Sequence, residues 1–138
     1  MSIGSEDDLT GRLAAEELLR TFHESQWTER QEVVFHLVHE DAEMRLLASN
    51  RELVHGREAL ARVLSQGKAA RRFEARVTSC DWLDERTAIV SGQARFVLPD
   101  GGFADNEVYW LDELRDSLLW RVDVFFSEAE ARQAYAAR

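Results

Sequence analysis

The chain has 138 residues, enough for one domain with a buried core. A hydrophobic fraction of 45% and four tryptophans exclude a disordered chain. Acidic residues outnumber basic ones 26 to 17, for a formal charge of −9, which argues against a nucleic-acid binder because phosphates demand a positive surface.

The opening MSIGSEDDL is acidic and has no apolar stretch of signal-peptide type, so residues 1–8 read as a flexible N-terminus and residues 9–138 as a single domain. From Leu9 to Trp27, the residues Leu13, Leu18, Leu19 and Phe22 recur at helical spacing and predict one apolar stripe. Thr28, with Gln31 three positions on, has the form of a capping box and opens a second short helix whose inner face is Val33, Val34, Leu37 and Val38. Residues 42–48 and 52–54 read as two short strands joined at Ser49 and Asn50. Gly56 and Arg57 lead into a third helix with Leu60, Val63 and Leu64 inward and Gly67 at its end.

After Arg72 the period changes from helical to alternating. In 86–98 one face carries Ala88, Val90, Gly92, Ala94, Phe96 and Leu98, and the other carries Thr87, Ile89, Ser91, Gln93, Arg95 and Val97. Such a pattern predicts a sheet with one packed face and one partly wet face. The sole proline opens the turn Pro99-Asp100-Gly101-Gly102. Two more strands follow, at 103–114 and 118–126, and Ser127 with Glu130 caps a last helix. Helices first and an antiparallel meander afterwards predict an α+β fold, a curled sheet closed by the N-terminal helices around a cavity.

The last strand, LLWRVDVF, holds Arg121 and Asp123 two apart and therefore on one face. A tight turn at Asp116-Ser117 sets Asp112 opposite Arg121 and Asp123 beside Trp110. A five-residue loop instead sets Glu107 against Asp123 and Tyr109 against Arg121. Either the two charges face the cavity, or the apolar set Trp120, Val122, Val124 and Phe126 does and the charges decorate the convex side. The tight turn is favoured because it pairs opposite charges.

Three stretches, VHEDAEMRL, ELVHGREALARVL and LRDSLLWRVDVFFSEAEA, resemble segments of the SnoaL-like branch of the nuclear transport factor 2-like superfamily, with the same order of elements from about Leu9 onward. The resemblance implies a cone-shaped curled sheet, mainly antiparallel, packed on N-terminal helices. It also implies a pocket for a small apolar molecule and cofactor-free proton transfer, such as isomerisation, cyclisation or dehydration. Where cyclase-like members often carry His-x-Asp on the final strand, this chain has Arg121 and Asp123. Asp123 is accordingly the expected base and Arg121 a polarising group, with Trp27, Met44, His55, Tyr109 and Trp110 as substrate-binding residues. The alternative is a non-catalytic ligand-binding or dimerisation domain of the same fold.

His36 and His39 are three apart but lack a third ligand nearby, so no metal and no cofactor is expected. A single cysteine, Cys80, rules out an internal disulfide and fits a reducing, cytoplasmic setting, with no membrane partner. A convex sheet face offering Ile89, Gln93 and Arg95 is too apolar to be only solvent surface, which predicts a homodimer.

Overall fold

The computed structural model describes residues 4–25, 35–70, 73–97 and 100–138. Helix α1 (Gly4–Ser25) is followed by β1 (Val38–Arg45), a 3₁₀ turn (Leu47–Ser49), β2 (Leu53–His55), α2 (Arg57–Ala70), β3 (Phe73–Trp82), β4 (Thr87–Val97), β5 (Phe103–Arg115), β6 (Leu118–Phe125) and α3 (Glu128–Ala136). The expected helix carrying Thr28, Gln31, Val33 and Val34, together with Trp27 and Pro99, lies outside the described residues.

The six strands form one curled sheet in the order β2-β1-β6-β5-β4-β3. Strand β1 runs parallel to β6, and the other neighbouring strands are antiparallel. The α+β reading therefore holds, and so does the alternation in β4. Ala88, Val90 and Ala94 are buried against the helices, while Gln93 and Arg95 are exposed. The core lies on the concave face. Leu19 and Phe22 of α1 and Leu60 and Leu64 of α2 pack there on Met44, Val108, Trp110, Val122 and Val124.

Several boundaries differ from expectation for local reasons. Helix α1 begins at Gly4, and Leu13, placed in its apolar stripe, is 57% exposed, while Leu19 and Phe22 of the same helix are buried. Val38 is the first residue of β1, not the inner face of a helix, and its side chain is fully buried. Gly67 does not stop α2, which runs on to Ala70. Ser127 caps α3 as expected, accepting from the backbone N–H of Glu130.

On the convex face, α3 lies across the sheet. Its Ala131 closes a second small core with Ile89 and Leu111, and Arg132 and Tyr135 bond Asp81 and Asp84. Ile89 is thus covered by the chain's own last helix, which removes it from the outward face expected to carry a dimer contact.

Candidate functional site

The β5–β6 hairpin decides which side chains reach the interior. Its turn is the tight one, with Asp116 and Ser117 both left-handed (φ 53° and 63°) and Arg115 opposite Leu118. Beyond Leu114–Leu119, however, the register shifts by one, and Glu113 faces Arg121 with Trp120 as the extra residue. A bulge of this kind moves every later side chain to the opposite face. Asp112 consequently lies opposite Val122, and Trp110 opposite Val124, all four on the concave side. Asp123 lies opposite Leu111, not beside Trp110, and Arg121 lies opposite Glu113, not Asp112.

Arg121 and Asp123 therefore sit on the convex face among compensating charges. Asp123 accepts from Arg138 at 2.8 Å and has Arg45 at 3.7 Å. Arg121 is about 4 Å from both Glu43 and Glu113. Of the other expected site residues, Met44 and Trp110 meet the interior, fully buried in the same core. Tyr109 is on the convex side, donating its hydroxyl to Glu107, and His55 is exposed on β2. The structure thus brings Met44 and Trp110 together and leaves His55, Tyr109, Arg121 and Asp123 outside that group.

What the interior does hold is a pair that the sequence reading missed. His23, in the last turn of α1, is hydrogen-bonded through Nε2 to Asp112 Oδ2 at 2.6 Å, and both side chains have no exposed surface. The imidazole stacks on Trp110 (centroids 4.1 Å apart, planes 20° apart), and Phe22 meets its edge. Asp112 Oδ1 is buried without a hydrogen-bond partner among the described residues. Burial raises the Asp112 carboxyl above its ordinary proton affinity, and the adjacent His23 and, less strongly, Arg138 pull it back down without cancelling the effect.

Both members were visible as rule-breakers. His23 continues the buried positions Leu19 and Phe22 of α1, and Asp112 takes the next alternate place after Val108 and Trp110. A polar residue at a core position is the informative kind of exception.

The two histidines of the HxxH spacing do not converge. His36 is exposed in a turn, while His39 is nearly buried in β1. His39 Nδ1 accepts from the Asp41 backbone, which leaves its Nε2–H to donate to Asp116 at 3.2 Å. Among the described residues no group of three or more His, Cys, Asp or Glu side chains could hold a metal. Cys80, next to Trp82 on β3, has its thiol pushed up to about 12, first by burial and then by Glu16 and Asp112. Among the described residues no helix is long and apolar enough to cross a membrane.

A curled six-stranded mixed sheet with helices on its concave face is the nuclear transport factor 2-like fold, and the solved structures it matches bear this out. The chain is similar to the epoxide hydrolase/cyclase-like enzyme SalBIII of pyran ring formation in the polyether salinomycin (11% identity, 86% of this chain and 94% of that one, TM-score 0.69). It is also similar to a proposed polyketide cyclase from Xanthomonas campestris pv. campestris (19% identity, 87% and 95%, TM-score 0.66). A third match is the Δ5-3-ketosteroid isomerase of a Mycobacterium species (13% identity, 85% and 93%, TM-score 0.65). No family model and no curated protein matches the sequence. The shared fold is thereby established; at these identities it carries no activity with it.

Proposed function

We propose that the protein takes a small, neutral, largely apolar molecule between its helices and the concave face, and that His23 and Asp112 move a proton on it. The observation that carries this reading is Asp112, a fully buried carboxyl with one oxygen on His23 at 2.6 Å and the other without a partner among the described residues. Buried polar atoms in folded proteins are overwhelmingly satisfied, so an exception calls for a role.

The chemistry follows from the pair. With Nε2 bonded to Asp112, Nδ1 is the ring nitrogen that exchanges a proton with a bound molecule, and the carboxylate steadies the imidazolium that forms. A proton taken from carbon next to a carbonyl and returned to another carbon is an isomerisation. The same proton delivered to a departing hydroxyl gives a dehydration and releases water. The proton-transfer role expected for Asp123 is assigned here to Asp112 and His23, because Asp123 is held by Arg138 on the other face. A neutral substrate is favoured because the buried polar groups among the described residues are His23, His39, Thr87 and Asp112, none a Lys or Arg that could pair with an anion.

The reading predicts deuterium uptake from heavy water into small neutral ketones, tested on a panel of cyclic β,γ-unsaturated and β-hydroxy ketones by NMR. Asp112→Asn and His23→Gln should each slow uptake by roughly 10²–10⁴-fold, the usual range for a positioned acid–base group. Uptake at the wild-type rate in both variants would sink it. The complete burial of the pair favours a second reading, a non-catalytic domain in which the two residues are structural. Stability measurements separate the two.

A further inference from the structure

We infer that Glu16 and Glu24 are positioning residues for the His23–Asp112 pair, acting as a two-point clamp that registers α1 on the sheet. This inference rests on the proton-transfer reading for its functional meaning, but not for its geometry. His23 lies two residues before the end of α1, in the last turn, where helices fray most readily. A 2.6 Å contact from such a place needs the helix held against both sliding and rolling.

Two carboxylates supply that hold. Glu16 Oε1 accepts from Trp82 Nε1 at 2.8 Å, and Glu24 Oε2 accepts from the Val77 backbone N–H at 2.9 Å. At 1.5 Å rise per residue the anchors lie about 12 Å apart along the helix, one two turns before His23 and one just after it. Glu16 and His23, seven apart, share one helix face.

The first anchor is tied to the same rung as the carboxyl it serves. Trp82 pairs with Ala88, and Ala88 with Asp112, so Glu16 grips the cross-strand row that carries Asp112. The guanidinium of Arg12 lies over the Trp82 ring at 5.0 Å and holds the indole in place. The second anchor grips the edge of the sheet where β3 bulges, the register shifting between Val77 and Ser79. There Gly92, opposite Val77, admits the β3 backbone. A Cβ on Gly92 would collide with the Arg76 carbonyl oxygen.

The test reads the pair directly. In ¹⁵N-labelled wild-type protein the His23 Nε2–H, held in a short charge-assisted bond, should give a protected downfield resonance. Glu16→Ala and Glu24→Ala should each lose at least half of its intensity while far-UV circular dichroism stays unchanged. Glu16→Gln and Glu24→Gln, which keep an acceptor oxygen, should retain it. Trp82→Phe removes the indole donor and should reproduce Glu16→Ala, which covers the case in which an alanine variant does not fold. A full-strength resonance in both alanine variants, or in Trp82→Phe, would overturn the clamp, as would equal loss in the glutamine variants. If the resonance responds as expected while Asp112→Asn leaves deuterium uptake unchanged, the catalytic reading fails and the clamp stands.

Discussion

Replacing His23 by Phe leaves the Asp112 carboxyl buried with neither of its oxygens bonded to a described residue. Both side chains are fully enclosed and 2.6 Å apart, so the cost is that of breaking a buried pair, roughly 3–5 kcal/mol at neutral pH. For a chain of this length that corresponds to a fall in Tm of roughly 10–25 °C, at about 3–5 °C per kcal/mol. The double variant His23→Phe/Asp112→Val behaves differently. It removes both polar groups and fills the site with residues suited to a helix and a strand, next to Trp110, Ala88 and Val122. Exchanging a buried pair for packed apolar groups is commonly neutral or stabilising by about 1–4 kcal/mol, so the double variant should melt at or above the wild-type temperature. The pH dependence has a definite sign. The folded Asp112 carboxyl titrates above its ordinary value of 3.8, so its burial carries no ionisation cost below that value, a cost that grows as pH rises from there toward the folded value, and a constant cost above it. The deficit of His23→Phe should therefore shrink as pH is lowered from 7 toward 4. Urea unfolding of the three proteins across that range measures all of this. A double variant destabilised by more than about 3 kcal/mol would refute the reasoning, since the pair would then be a net source of stability and not a group retained for chemistry.

Three other outcomes follow from the packing. Cys80, with its thiol pushed up to about 12, should resist Ellman's reagent at pH 8 in the folded protein and react promptly in urea; rapid reaction without urea would contradict its placement against Glu16 and Asp112. Gly92→Ala forces a Cβ onto the Arg76 carbonyl and to 3.0 Å from the Trp110 ring, and should cost about 1–3 kcal/mol in thermal or chemical melts, whereas a neutral result would mean that the β3 bulge relaxes. Asp123→Asn, which weakens a partly exposed contact with Arg138, should cost no more than about 1 kcal/mol and leave the His23 downfield resonance in place; a loss above 3 kcal/mol would show that the convex ion cluster holds α3 in place.

The sequence by itself determined the fold class, the strand alternation and the hairpin turn. The even spacing of Ala88, Val90 and Ala94 against Gln93 and Arg95 has one physical reading, a sheet wet on one side. The capping pattern at Ser127 likewise needs only local chemistry, and the structure places α3 behind it. The candidate site was half legible. His23 and Asp112 stand out as polar residues at core positions, but they are 89 apart in the chain and no local spacing links them. What only the tertiary structure decided is which face of β6 looks inward. The extra residue at Trp120 leaves no mark in the sequence pattern, because a bulge is set by how two strands pair and not by what either one contains. That single residue turns Val122 and Val124 toward Trp110 and sends Arg121 and Asp123 out to Glu113 and Arg138. Side chains in a strand alternate with period two, so a shift of one residue reverses every assignment beyond it.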